Sequence, residues 1–487
     1  MKIGILPLDS RPCNNIFPQS LAAFANAECI TPPPELMDYF LQSADCHGLI
    51  QWLTEIAPTC EALIISCEML AYGGFIAARA HRCDIETSLK RIRALEQIKA
   101  KNPALSIHAA SIILRPTITV ESKDKISIYE KLYQYSKATY LAEKTNAPEY
   151  IAEKAQVISE LPKEVLEEFL AVRKRNAIIN KEVVRLTADG ILSSLLLLQE
   201  DSEPYGIQRK EQEELVELIK KNNLHDSVTL QNGGDEGGCL LIAKVFMGKL
   251  PMAIPMDVKF STESNKDFVA MYEDRPFSDN LKSSIDFLYM KFMEGAKDVL
   301  YIHNPKTAQK DASTSVGSGY TAEETSSFAA EILQDIEQGR RVYLLDLLYS
   351  NGGDGDILHA LGKNVSKLWG YSAWNTTCNS LGTILAQLAF SYLAGKPNDM
   401  FTTERILDDY VYQTVVRRKL SSAVSEIGQD PWNIENLDWA NEKLDELMQN
   451  EKSLENLFYK TPQFVASLPW NRTFEAKITL ESEVNGG

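Results

Sequence analysis

Ser227-Val-Thr-Leu-Gln-Asn-Gly-Gly-Asp-Glu-Gly-Gly-Cys239 passes from an apolar run through two Gly-Gly pairs that bracket Asp235 and Glu236, and an apolar helix-like segment follows as far as Phe246. The pattern is strand, carboxylate-bearing turn, helix. Glycines at such a turn permit backbone conformations and close approaches that other residues resist, which suits a ligand lying on main chain. An ordinary βα loop would also use glycines and place acids at the start of the helix. Recurrence of the same design along the chain is what favours function.

Toward the N-terminus, an apolar run from Lys2 to Leu8 leads into Asp9-Ser-Arg-Pro-Cys-Asn14, which leaves Asp9, Arg11 and Asn14 at a strand's carboxyl end. A short strand is expected at Glu28–Thr31, and another at Ala62–Ser66 that ends in Cys67-Glu68 and then Gly73-Gly74. Ser106–Leu114 stops at Arg115-Pro116. Ser194–Gln199 is nearly all leucine, as expected of a strand buried on both faces, and it ends in Glu200-Asp201-Ser202-Glu203. Residues 85–101 have helical periodicity. Residues 121–190 read as a charged helical excursion whose tyrosines serve packing.

Toward the C-terminus, strands are expected at Ala253–Ser261, at Asp298–His303 before Asn304-Pro305, and at Val342–Leu348 before Asn351-Gly-Gly-Asp354. Between the last two lie a polar loop over 306–320 and a helix announced by the cap Thr321-Ala-Glu-Glu. Leu368–Ser372 leads to Trp374-Asn375 and Asn379, ahead of another apolar helix. Alternating strands and helices specify a predominantly parallel sheet. The expected architecture is a TIM-barrel-like or doubly wound N-terminal domain over 1–250, a second α/β unit over 251–395, and a mainly helical C-terminal region over 396–487.

The 487 residues carry a formal charge of −17, with 44% hydrophobic and 24% charged residues. That acidity argues against a nucleic-acid partner, which would need concentrated Lys and Arg. Eight cysteines lack zinc-like spacing and read as reduced thiols. No stretch reaches membrane-spanning length and the first residues do not form a signal peptide, so a cytoplasmic location is expected, with self-association open.

Parallel strands joined by helices bring their carboxyl ends to one side, where ligands bind. The polar residues expected there are carboxylates accompanied by Asn, Arg and Trp. Such a set matches a carbohydrate substrate, because hydroxyl fans hydrogen-bond to Asp, Asn and Arg while an aromatic face covers C–H groups. Glu236, Asp235, Asp201 and Glu203 are the candidate catalytic carboxyl groups for glycosidic cleavage. Asp9, Arg11, Asn14, Glu68, Asn304, Asn351, Asp354, Trp374, Asn375 and Asn379 are candidate substrate contacts. No cofactor is expected. A divalent cation on Asp201, Asp235 and Asp354 is the alternative, serving a metal-dependent hydrolase or lyase, and a non-catalytic sugar-binding protein is the third reading. His303 and His359 stand alone and read as structural.

Pro7-Leu-Asp-Ser-Arg-Pro12, Glu68-Met-Leu-Ala-Tyr-Gly-Gly74, Gln199-Glu-Asp-Ser-Glu-Pro-Tyr-Gly206, Gly234-Asp-Glu236, Asn351-Gly-Gly-Asp354, Trp374-Asn-Thr-Thr-Cys-Asn-Ser-Leu-Gly382 and Pro469-Trp-Asn-Arg-Thr-Phe-Glu475 together resemble a bacterial family known as domain of unknown function 4127. That resemblance spans nearly the full chain and implies no reaction. Separately, Gly233-Gly-Asp-Glu236 resembles the motif of family-20 β-hexosaminidases, a barrel family. This likeness implies that Glu236 protonates the leaving oxygen and Asp235 orients an acetamido group. The histidine that precedes the motif in those enzymes is Gln231 here.

Overall fold

The computed structural model describes residues 1–120, 125–314 and 317–481. Residues 121–124 of the expected helical excursion and 315–316 of the expected polar loop lie outside this set. β1 (Lys2–Leu6), β2 (Glu28–Ile30), β3 (Ala62–Ser66), β4 (Ser106–Ile113), β5 (Ser194–Gln199) and β6 (Val228–Asn232) form one sheet in the order β2-β1-β3-β4-β5-β6. Every pairing is parallel. Leu195 to Leu198 on β5 are fully buried, in keeping with a strand covered on both faces.

Among the described residues this sheet does not close, because β2 and β6 each pair on one side only. The unit is an open parallel α/β sheet, and the TIM-barrel-like expectation is corrected. Six strands are fewer than the eight that close such a barrel, and the next strand, Ile254–Phe260, pairs in a second sheet and not with the edge strand β6. Beyond β6 the chain enters the helix Gly237–Met247, and that helix starts directly over the sheet. A Cβ on Gly237 would lie 2.9 Å from the Leu198 side chain, and one on Gly238 would lie 3.0 Å from Pro18. The chain after β6 therefore packs back over its own strands.

The next strands are β7 (Ile254–Phe260), β8 (Met290–Phe292), β9 (Asp298–His303), β10 (Lys310–Asp311), β11 (Arg341–Asp346), β12 (Tyr349–Ser350) and β13 (Gly370–Ser372). A second parallel sheet has the order β8-β7-β9-β11-β13, and β10 pairs with β12 alone. Counted from each sheet's own first strand, both run second, first, third, fourth, fifth. The antiparallel pair β14 (Phe464–Ser467) and β15 (Lys477–Leu480) ends the described chain.

The chain divides into two compact units, one of residues 1–245 with 272–275, the other of 246–271 with 276–487. The helices after residue 400 share one core with the second sheet, in which Val299, Tyr301, Val342 and Leu344 pack with Leu407, Val411, Leu444 and Ile478. One of these helices, Ile406–Val416, is a π-helix. No disulfide joins any of the eight cysteines, and no helix among the described residues is long and apolar enough to cross a membrane.

Candidate functional site

Arg11 caps the helix Pro12–Phe24, with proline in the first helical position, where its missing N–H costs nothing. Its side chain folds back on the end of β1. Nε donates to Asp9 Oδ2 at 2.9 Å, while Nη2 donates to Asp9 Oδ2 at 2.6 Å and to Asp235 Oδ1 at 2.5 Å. Asn14 Nδ2 donates to Asp9 Oδ1 at 2.9 Å and to Asp235 Oδ1 at 3.0 Å. One cation and one amide thus tie the loop after β1 to the loop after β6. All four side chains are buried, so their hydrogen bonds are made in a low-dielectric setting that strengthens them.

Glu236 is fully buried beside this clamp. Its Oε2 accepts from the Gly234 N–H at 2.8 Å, and its Oε1 has no hydrogen-bond partner. Burial, opposed by the Gly234 N–H and reinforced by the charges of Asp235 and Glu273, pushes the carboxyl up to about 8. The turn tolerates this only because residue 233 is glycine. Its φ is +129°, and a Cβ there would fall 1.8 Å from Glu236 Oε1.

A second charged group lies at the ends of β4 and β5. Arg115 donates from Nε to Glu200 Oε1 at 2.7 Å and pairs through Nη2 with Asp201 Oδ2 at 2.6 Å, while Arg79 also pairs with Glu200. Burial works against the charge on Glu200, but Arg115 and Arg79 outweigh it and hold the carboxyl below its usual range. Asp201 moves the other way, lifted by burial against the pull of Arg115, with the Glu200 charge adding, although its side chain remains 22% exposed. The Phe75 ring links the two groups, with the Arg79 guanidinium 4.1 Å and that of Arg11 5.9 Å from its centroid.

Glu203 is half-buried and hydrogen-bonds the side chain of Tyr133. Tyr133 stacks on Tyr129 with ring centroids 6.4 Å apart. Glu68 is separate from these charged groups. It accepts from the Ile112 N–H at 2.8 Å and from Ser66 Oγ at 3.2 Å, and burial lifts it to about 7 against those bonds. The tetrapeptide Tyr272–Arg275 also belongs to this unit. Asp274 accepts from Gln212 Nε2 at 2.7 Å, Asn232 Nδ2 at 2.9 Å and Ser202 Oγ at 3.1 Å.

In the second unit, Asn304 is fully buried and plugs the ends of β7 and β9. Its amide donates to Thr262 O and Asn265 O and accepts from the Thr262 N–H, while Tyr320 Oη donates to its backbone carbonyl at 2.7 Å. Asp354 caps the helix Gly355–Leu361 and meets His303 Nε2 at 3.1 Å. Its N–H donates to Asp346 Oδ2 at 2.6 Å, and burial raises Asp346 to about 6, opposed by His303 and reinforced by Asp354. Asn351 donates to Asp311 Oδ2 at 2.6 Å, and its N–H donates to the Asn375 carbonyl. Trp374 and Asn379 belong to the packed interior. The indole N–H of Trp374 donates to Thr383 Oγ1, so its ring is not the open stacking face expected from the sequence.

Among the described residues no group of three or more His, Cys, Asp or Glu side chains is arranged to hold a metal ion. The trio Asp201, Asp235 and Asp354 divides between the units, two in the first and one in the second.

The signature of a family described as proteins of unknown function (DUF4127) matches residues 3–479. The chain belongs to that family. No curated protein and no solved structure matches it. In this DUF4127 member, sequence reasoning missed Asp38, Arg79, Glu200 and Asp274. Asp38 accepts from the Ser10 N–H at 2.8 Å, and burial, with the Asp9 charge adding, raises its carboxyl well above the usual range. It stands beyond the run Pro32-Pro-Pro34, too far past the end of β2 for a strand-end rule to point to it. Glu200 was visible as the first acid after β5, and its place at the strand's end was the available signal.

Proposed function

We propose that the chain is a glycoside hydrolase acting on a small glycoside, with Glu236 as the general acid and Asp235 as the anionic partner. The observation that carries the reading is the adjacent pair after β6: one carboxyl raised to about 8 with an unpartnered oxygen, the other held by Arg11 and Asn14. Two neighbouring carboxyl groups in opposed environments are the arrangement that separates an acid from its charged partner. Support comes also from Asp201, Arg115 and the stacked Tyr129–Tyr133 pair, residue types that hold hydroxyls and sugar faces. Because Glu236 is enclosed, the reading requires the Gly233–Gly234 turn to swing as substrate enters. The local likeness to family-20 β-hexosaminidases makes N-acetylhexosaminides the first substrates to try.

The test is aglycone release from aryl glycosides by the full chain, with and without a chelator. Glu236→Gln should lower kcat by roughly 10²–10⁴-fold, the usual contribution of a general acid, and wild-type kcat should decline as pH passes about 8, where the acid loses its proton. Turnover that survives Glu236→Gln removes the assignment. Turnover abolished by chelation moves the chemistry to a metal-dependent hydrolase.

A further inference from the structure

The second unit contains a cleft of about 820 Å³ that the proposed hydrolase chemistry does not use. It lies beyond β11, on the side of the sheet where parallel α/β folds bind ligands, and its size falls within the range of small-molecule sites. Its floor is the backbone of Gly353 and Gly355 with the capping Asp354, and its far wall is the π-helix Ile406–Val416 continued by the helix Arg417–Glu426. π-Helical turns are rare and are found frequently at functional sites.

Floor and wall are fastened together. The Gly353 N–H donates to Asp409 O at 2.9 Å, and Thr414 Oγ1 donates to Gly353 O at 2.9 Å. A side chain at residue 353 would collide with Tyr371 Oη, 2.1 Å from the Cβ position, so the floor stays bare backbone. These bonds fix the cleft's shape before any ligand arrives, which lowers the cost of binding.

The lining specifies a chemistry. Asp354 and Asp356 share the lining with Arg418 and Lys419, so the cleft presents both signs of charge to a ligand. Lys419 is oriented by Glu451 at 2.7 Å, and Arg418 donates to Ser313 O. Tyr349 and Tyr410 contribute ring surface, and the exposed His359 meets Tyr410 Oη at 3.0 Å. A hydroxyl group is the ligand group that can donate to Asp356 and accept from Arg418 or Lys419 at once, while the tyrosines cover C–H faces. We infer that this cleft is a second ligand site, for a neutral polyhydroxylated molecule of monosaccharide to disaccharide size. The inference stands independently of the chemistry proposed for Glu236.

The experiment is hydrogen–deuterium exchange on the full chain carrying Glu236→Gln, with methyl glycosides of glucose, galactose and N-acetylglucosamine as probes and inorganic phosphate as the anionic control. At least one glycoside should slow exchange across 349–361 and 410–422. Asp356→Asn and His359→Gln, both at exposed positions, should each weaken that protection at least about tenfold in ligand concentration, a 1.4 kcal/mol change, while leaving the melting temperature unchanged. Protection by phosphate alone would overturn the inference, as would glycoside protection confined to the first unit or insensitive to both variants, or none with any probe. Turnover lost on Glu236→Gln reports on the first unit and these protected segments on the second, so the two readings fail separately.

Discussion

In both sheets the strand order reverses between the first and third strands, and the two crevices so formed are filled in opposite ways. The first unit lines its crevice with charge: Asp9 follows β1, and Arg11 and Asn14 join Asp9 to Asp235. The second fills its crevice with neutral groups, in which Asn304 and Tyr320 satisfy the backbone and hydroxyls of Ser261 and Thr262. Charge reappears in the second unit one strand further on, where Asp346, Asp354 and His303 meet. Strand order provides a place for a ligand, and side chains decide whether the place is used.

The widest separation between the two crevices should come from Arg11→Ala, which leaves Asp9 and Asp235 side by side and buried without their cation. Its expected cost is about 3–5 kcal/mol, the usual result of breaking a buried ion pair, measured by urea unfolding. A loss below about 1 kcal/mol would mean that water already screens the charges, and the contrast would collapse.

Glu236→Gln should differ from wild type in a pH-dependent way. Below the ordinary carboxyl range both states of the wild type hold the proton; between there and about 8 only the folded state holds it, so stability falls as pH rises. The variant lacks this loss. Its unfolding free energy should therefore gain on that of wild type from pH 5 to pH 8 and then level off, by an amount on the order of a few kcal/mol. A gap that stays constant with pH would show an ordinary carboxyl at 236.

Asn304→Ala should cost about 1–3 kcal/mol through the polar groups it leaves unsatisfied, less than Arg11→Ala because no charge is stranded. Tyr320→Phe removes a hydroxyl bonded to Ser261, Thr262 and Asn304 and should cost about 1 kcal/mol. If either exceeds Arg11→Ala in the same unfolding experiment, the neutral plug is the more critical of the two.

Local pattern carried much of the fold. β3, β5 and β9 have the expected bounds, as does the helix Ile85–Lys101, because each is fixed by its own run of buried or periodic side chains. Thr321 and Glu324 form the reciprocal capping box that their spacing announces. β8 is three residues long and too short for periodicity to reveal. The π-helix reads like any apolar helix, since a wider hydrogen-bond register leaves little trace in side-chain spacing. Within the site, the acids and Arg11 were legible as strand-end residues. The bond between Arg11 and Asp235 crosses 224 positions and depends on the helix Gly237–Met247 turning back over the sheet, which no local pattern encodes. Tyr133 read as packing because its contact with Glu203 is equally non-local.

Asp274 also determines how the gene could be divided. Expressing residues 1–245 alone would remove the carboxylate that Gln212, Ser202, Asn232 and Arg209 share as an acceptor. The chain leaves its first unit, starts the second and returns for four residues, so one cut cannot yield two intact modules. A first half that behaves as an independent protein would have to carry the returning tetrapeptide on a grafted loop.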